Sequence, residues 1–539
     1  MTDTHTASTG SWRALLGPKH LGASTVLAGG VALYATNEFL TISLMPSAVA
    51  EIGGQRYHAW VMTVYLVASV AAATTVSAVL ARLGPRSAYL AALTVFGLGS
   101  VGCALAPTME LLLAGRIVQG GAGGLLAGLG YAVINTALPR ALWTRASALV
   151  SAMWGVGTLV GPAAGGLFAQ YASWRWAFGA LVILTGVIAV LVPVALPRRA
   201  AGAEVPVVPI PLWSLVLLGT AALLVSVAGL APDPRVTGGI LAAAVGLVAA
   251  FLVVDRNAAS AATGGRSAAS EATGGRSAAS AATGDRNAAS AATGDRNAAS
   301  EATGDRNAAS AATGGRSAAS AATGKRSSVL PPTAFRRGPL KWIYLTLGVL
   351  MAATMVDMYV PLFGQRLAQL TPLAAGFLGV ALAVGWTVSE ILSASVDRRA
   401  AVTRIVVAAP VVMAVGLGAG ALLVGAAMPG WSVIAWVVAL VITGTGIGMA
   451  WPHLSAWAMG GVDDPAEGPV AAAAINTVQL ICGAFGAGIA GVIVNHSGDD
   501  DAGAARMLFT AFAALAVLAV AAAWRAGRRP ESADSAPSR

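Results

Sequence analysis

Charge is scarce in this sequence. Only 10% of its 539 residues are Asp, Glu, Lys or Arg, against about a quarter in an ordinary soluble domain, while 56% are hydrophobic and the mean hydropathy is +0.73. One aqueous core cannot hide that much apolar surface, which excludes a soluble globular protein. Cysteine is nearly absent too. Cys103 and Cys482 each fall inside an apolar stretch, so two buried free thiols are expected rather than a disulfide or a metal site. Also missing are H-E-x-x-H, G-x-S-x-G, C-x-x-C and G-x-x-x-x-G-K-[ST], which leaves no support for a membrane-embedded enzyme or sensor, a cofactor or direct ATP drive. The formal charge of +10 does not point to nucleic acid, because the basic residues lie between apolar runs and not on one soluble face.

What is present is a series of apolar runs from Leu21 to Trp524, each of about twenty residues and so long enough to cross a hydrocarbon layer of ~30 Å as a helix. Divided at breakers such as Gly84-Pro85, Leu138-Pro139 and Leu196-Pro197, they predict spans at 21–48, 58–81, 87–106, 108–138, 144–170 and 174–196, a pair at 209–231 and 236–254, and six more at 340–366, 372–396, 402–427, 431–457, 468–494 and 503–525. The fold class expected is all-α and membrane-embedded, with fourteen transmembrane helices in a six-two-six order. The domains read as a tail at 1–20, a six-helix bundle at 21–197, an extra helix pair at 198–254, a linker at 255–338, a second six-helix bundle at 339–526 and a tail at 527–539.

Orientation follows from basic residues, which concentrate in cytoplasmic loops. With a cytoplasmic N-terminus, the inner loops and ends hold Arg13, Lys19, Arg82, Arg86, Arg140, Arg145, Arg198, Arg199, Arg398, Arg399, Arg404, Arg525, Arg528 and Arg529. The outer loops hold Arg56, Arg175, Arg235, Arg366 and Arg506. Both termini are therefore expected inside. The first span is longer than a signal-peptide core and lacks a small-residue cleavage site, so it is expected to be retained. Residues 255–338 repeat a decapeptide, as in Ala281–Ser290, with Arg at 256, 266, 276 and on to 326. Ala, Ser, Thr and Gly cannot build a packed core, so this stretch reads as a disordered linker, either a repeat expansion without a task or a weak attraction of its Arg residues to anionic lipid.

Several local strings sharpen the reading. Gly115, Arg116, Gln119, Gly120 and Gly121 in the fourth span resemble the R-x-x-Q-G signature of the major facilitator superfamily. Gly157, Gly161, Pro162, Gly165 and Gly166 in the fifth resemble its G-x-x-x-G-P-x-x-G-G signature, associated with antiporters. Glycines there permit close helix approach and the proline bends the span, as suits a moving interface between halves; the plainer alternative is small-residue packing. Arg82, Gly84 and Arg86 match part of the family's loop after the second span, with Ala81 where that loop has Asp. Ser173-Trp174-Arg175-Trp176-Ala177-Phe178 resembles fourteen-span drug transporters, whereas Thr36-Asn37-Glu38-Phe39 with Leu44-Met45-Pro46 resembles twelve-span exporters of drugs and sugars. The resemblance implies a bacterial plasma-membrane antiporter, monomeric in the bilayer, that exchanges protons for a small-molecule substrate, either an amphipathic or cationic drug or an endogenous lipid or metabolite.

Ionised groups at mid-membrane cost ~2.5 to 3.5 kcal/mol on insertion scales, which makes them functional candidates. Four qualify: Glu38, Arg116, Asp357 and Glu390. Glu38, Arg116 and Asp357 share a predicted depth of ~13 Å at ~1.5 Å per residue, and Glu38 and Asp357 open corresponding spans of the two halves, as a site at a repeat interface requires. Burial favours a neutral carboxyl and a nearby guanidinium favours the charged one, so small movements switch proton holding to release. Glu38 is the first candidate carrier; the alternative is a structural ion pair with Arg116. Asn37, Gln119, Trp154 and Trp386 are candidate cavity residues, with Trp451 beside them and His453 nearer the inner end.

Overall fold

A computed structural model describes residues 12–139, 142–197, 210–261, 328–336, 338–425, 428, 430–464, 467–498 and 500–528. Its long helices are α1 (Leu21–Ile52), α2 (His58–Ala73), α3 (Val76–Ala104), α4 (Met109–Ala132), α5 (Trp143–Tyr171), α6 (Trp174–Ala195), α7 (Leu212–Ala228), α8 (Pro234–Ala261), α9 (Leu340–Arg366), α10 (Pro372–Ser393), α11 (Arg399–Leu423), α12 (Gly430–Gly460), α13 (Gly468–His496) and α14 (Asp501–Gly527). No strand occurs among the described residues. Eleven helices there are long and apolar enough to cross a membrane; α7 is apolar but shorter, and α1 and α2 complete the set.

Backbone chemistry explains where these helices bend. Gly84 has φ +73°, so α3 turns sharply before its long apolar part, and Pro85 opens that part without needing an N–H partner. The second bend creates a functional feature. Pro361 cannot donate to the carbonyl four residues back, which is that of Asp357, and the Val360 N–H bonds that carbonyl instead. Residues Met355–Tyr359 tighten into a 3₁₀ turn that carries Asp357.

The two halves repeat one packing scheme. In the first, α1 packs on α5 and α6, α4 on α2 and α3, and α3 on α6; in the second, α9 packs on α13 and α14, α12 on α10 and α11, and α11 on α14. The repeat reaches individual atoms. Gly120 and Gly124 of α4 lie on the α2 backbone at Tyr65 and Ser69, and Gly444 and Gly448 of α12 lie on the α10 backbone at Leu382 and Trp386. Ser69 Oγ donates to the Gly120 carbonyl at 3.0 Å, and Ser389 Oγ to the Thr445 carbonyl at 3.2 Å. The halves meet along two seams, α2 against α13 and α5 against α10, and α7 covers the first by packing on both α2 and α13.

Two boundaries differ from those read in the sequence. Helix α8 continues past Asp255 to Ala261, and the described chain resumes at Ser328. Buried Asp255 joins the two: its carboxylate accepts from Ser214 Oγ at 2.8 Å, Val329 N at 2.7 Å and Leu330 N at 2.9 Å. The short 3₁₀ helix Pro332–Phe335 is then held by Glu467, which accepts from Thr333 N and Oγ1 at 3.1 and 2.8 Å. The decapeptides between lie outside the described residues. Near the N-terminus, a turn of helix at Trp12–Leu15 is docked through buried Leu15, whose carbonyl accepts from Ser24 Oγ.

Candidate functional site

Arg116 is fully buried on α4, and its guanidinium is surrounded by neutral groups. Nη1 donates to Asn37 Oδ1 at 3.1 Å and to Gln119 Oε1 at 3.0 Å, and Nε donates to the Val61 carbonyl at 3.4 Å. Its carbon centre lies 4.0 Å from the Tyr65 ring centroid. Gln119 is fixed in turn, since Nε2 donates to Ser100 Oγ at 2.8 Å and the Cys103 thiol donates to Oε1 at 3.4 Å. No carboxylate lies within ion-pairing reach of Arg116 among the described residues. The structural Glu38–Arg116 ion pair considered above is therefore not formed.

Glu38 borders this network from α1. It is 6% exposed, and Oε2 has no hydrogen-bond partner among the described residues. One turn earlier, Tyr34 stacks on Tyr65 with centroids 5.6 Å apart and meets Trp154 edge-on at 5.4 Å. Glu38, Arg116 and three aromatic rings thus share one buried region between α1, α2, α4 and α5. A fixed cation, an unpartnered carboxyl and π-faces can together exchange a proton for an organic cation.

The sequence candidates do not all join it. Asn37, Arg116 and Gln119 are in direct contact, with Glu38 and Trp154 beside them. Asp357 sits on its 3₁₀ turn against Gly379 of α10, 8% exposed and with Oδ1 unpartnered, but no hydrogen bond ties it to the Arg116 network among the described residues. Glu38 and Arg116 thus belong to helices of the first half and Asp357 to the second. Glu390 is separate again: it accepts from Trp386 Nε1 at 2.9 Å, and Trp386 tilts against Trp451 at 5.4 Å. His453 pairs with Ser393 Oγ at 2.9 Å. Both cysteines are free.

The glycine string of α5 also divides. A Cβ on Gly157, Gly161 or Gly165 would strike Ala35, Phe39 or the Leu40 carbonyl, all on α1 of the same half. Only Gly166 faces the other half, where a Cβ would lie 2.7 Å from Leu373 Cα. Beside it, the Pro162 carbonyl accepts from Ser43 Oγ at 3.2 Å and abuts Gly376 of α10. The expected contact between halves therefore belongs to Gly166 and Pro162, while the other three glycines pack one half together. Gly84 makes its turn as described, with Arg82 exposed and Arg86 half-buried around it. Ser173 caps α6, and Trp174 and Arg175 both hold Glu51 at the end of α1.

Tyr34, Tyr65 and His58 were not singled out from sequence. Tyr34 had a signal, since it stands four residues before Glu38 and so on the same helix face. Tyr65 and His58 had none, because their partners come from other helices. His58 Nε2 contacts the Met358 carbonyl at 3.0 Å and its ring stacks on Tyr359 at 4.7 Å, which joins α2 to the turn that carries Asp357. Further contacts between halves lie at the face opposite the termini, where Arg366 donates to Gln55 at 2.8 Å and Asn495 to the Arg56 carbonyl at 2.9 Å.

This repeated bundle with a central buried charge agrees with comparison to known proteins: residues 27–487 match the family model of the Major Facilitator Superfamily. The chain belongs to that superfamily. It is a membrane transporter and not an enzyme. It is 53% identical over 515 residues to a probable multidrug-efflux transporter of Mycobacterium tuberculosis, covering 94% of this chain and 95% of that one. An uncharacterized transporter of the same type from that organism is 31% identical over 176 residues, 33% of this chain and 26% of its own length. Among solved structures, a D-xylose–proton symporter aligns with a TM-score of 0.59 at 13% identity over 95% of this chain and 99% of that one, and the nucleoside transporter NupG with 0.57 at 11% over 95% and 100%. At those identities the likeness is one of fold.

Proposed function

We propose that this superfamily member is a proton-coupled antiporter that exports small amphipathic or cationic drugs by alternating access, with Glu38 as proton carrier. The observation that carries the reading is the Glu38 carboxyl, buried and unpartnered beside three aromatic rings and a guanidinium that no acid neutralises. A protonated Glu38 is at ease in that apolar setting. An organic cation that enters among Tyr34, Tyr65 and Trp154 gains from the ring faces and from an ionised Glu38, so cargo and proton compete for one carboxyl. Transport then needs the site to face each side in turn, and the contacts of His58, Gln55, Arg56 and Gly166 with the other half correspond to a state closed on the face opposite the termini. The name of the Mycobacterium tuberculosis relative supports a drug as cargo.

We place the protein in the bacterial inner membrane as a monomer with fourteen spans, which requires α1, α2 and α7 to cross along with the eleven longer apolar helices. Both termini are cytoplasmic on this reading, supported by the fourteen-to-five excess of basic residues on that side. Asp357 is a second proton or cation site in the other half. The test is substrate-dependent proton flux in vesicles reconstituted with the full chain, across a panel of cationic drugs. Drug addition should drive proton movement opposite to drug movement; drug transport with no proton flux would overturn the coupling.

A further inference from the structure

At the face carrying the termini, Lys341, Arg525 and Arg528 stand at the adjoining ends of α9 and α14, none of them paired with an acid among the described residues. Lys341 and Arg525 both sit over the Trp342 indole, with Nζ at 5.6 Å and the guanidinium carbon at 4.6 Å from the ring centroid. Arg528, one turn beyond Arg525, lies over the Trp524 ring at 3.3 Å. None of the three pairs with a carboxylate among the described residues; of the nearby acids, Asp463 is taken by Arg336 at 2.9 Å and Glu467 by Thr333. Two like charges held on one ring repel each other, and an anion placed beside them relieves that repulsion.

We propose that Lys341, Arg525 and Arg528, held by Trp342 and Trp524, form a headgroup site for an anionic phospholipid. The site lies where α9 begins and α14 ends, the level at which membrane tryptophans meet the headgroups. A lipid fits better than a free phosphate because apolar surface continues below it on the same helix faces. Leu345 stands four residues from Lys341 and is 47% exposed, and Leu518 stands seven from Arg525 and is 73% exposed. The cations take the phosphate and these leucines take the acyl chain.

The test uses the full chain in detergent with added phosphatidylglycerol, phosphatidylcholine or inorganic phosphate, with melting temperature and lipid retained in native mass spectrometry as readouts. Phosphatidylglycerol alone should raise the melting temperature and be retained. In Lys341→Gln/Arg525→Gln its affinity should fall roughly 30-fold, taking about fivefold per basic residue, whereas Lys341→Arg/Arg525→Lys should keep it and show that the surface itself is intact. An unchanged preference in the Gln variant would overturn the proposal. So would an equal response to inorganic phosphate. If phosphatidylglycerol acts only after residues 531–539 are removed, the acidic tail occupies the site and the proposal also fails.

Discussion

Arg116 lies 4.0 Å from the centre of the Tyr65 ring, and both side chains are fully buried. A guanidinium placed in lipid without a counter-ion depends on every neutral partner it has. Tyr65→Leu should lower stability by about 1 to 2 kcal/mol through loss of the cation–π contact. Asn37→Ala and Gln119→Ala should each cost about 1 to 3 kcal/mol by leaving a buried donor unsatisfied. Melting curves of the purified variants in one detergent check the values, and gains in stability would contradict this account of the network.

Glu38→Gln separates the carrier from a structural role. The carboxyl makes no ion pair, so the amide should fold and insert much as the parent does, while a cationic drug binds more weakly, held by the ring faces alone, and proton-driven efflux falls to background. The assay is efflux against a pH gradient together with direct drug binding on the same vesicles. Intact coupled efflux in a well-folded Glu38→Gln protein would move the role to Asp357 or Glu390.

The division of the α5 glycines predicts two phenotypes from one kind of substitution. Gly161→Leu pushes on Phe39 and Leu40 inside one half, and overpacking of about 1 to 3 kcal/mol or more should lower the yield of folded protein. Gly166→Leu pushes on Pro372 and Leu373 of the other half. That protein should insert normally but rest with this face open, so that a cysteine at Gln170 labels faster with a membrane-impermeant thiol reagent than it does on the parent background. Equal labelling would place Gly166 away from the moving contact.

Asp255 should matter more than the whole repeat it precedes. Asp255→Ala strands the donors Ser214 Oγ, Val329 N and Leu330 N and should cost about 1 to 3 kcal/mol for each one that water does not reach. Removal of whole decapeptides between 264 and 323 should leave melting temperature and transport near those of the parent. Loss of transport in a correctly inserted deletion would give the repeat a task.

The sequence made the helical spans legible because apolar length and breaker residues are local signals. Gly84-Pro85 marked a true turn, and the glycine spacing in α5 marked a tight contact, although not with which helix. Arg116 was legible because charge in lipid is costly wherever it occurs, and Asn37 and Gln119 because they stand in the strings that resemble the superfamily's signatures. The rest depends on pairing between distant segments. Tyr65 on Arg116, His58 on Met358 and Asp255 on Val329 are each separated by tens to hundreds of residues, and no periodicity within one helix reports its partner in another. The 3₁₀ turn at Asp357 lies between these cases: Pro361 is a local signal that the reading of one continuous span at 340–366 passed over, and only the fold places the turn against α1, α10 and α13.

The Asp255 clamp also bears on how this gene can change. It fixes two points of the chain 74 residues apart at hydrogen-bond distance, so the bundles on either side meet the same anchor whatever lies between. One decapeptide more or fewer alters the entropy of closing such a loop by only about 0.1 kcal/mol. Replication slippage in the repeat is then nearly neutral for the transporter, and sister lineages should differ in repeat number while Ser214, Asp255 and the segment after Ser328 stay constant.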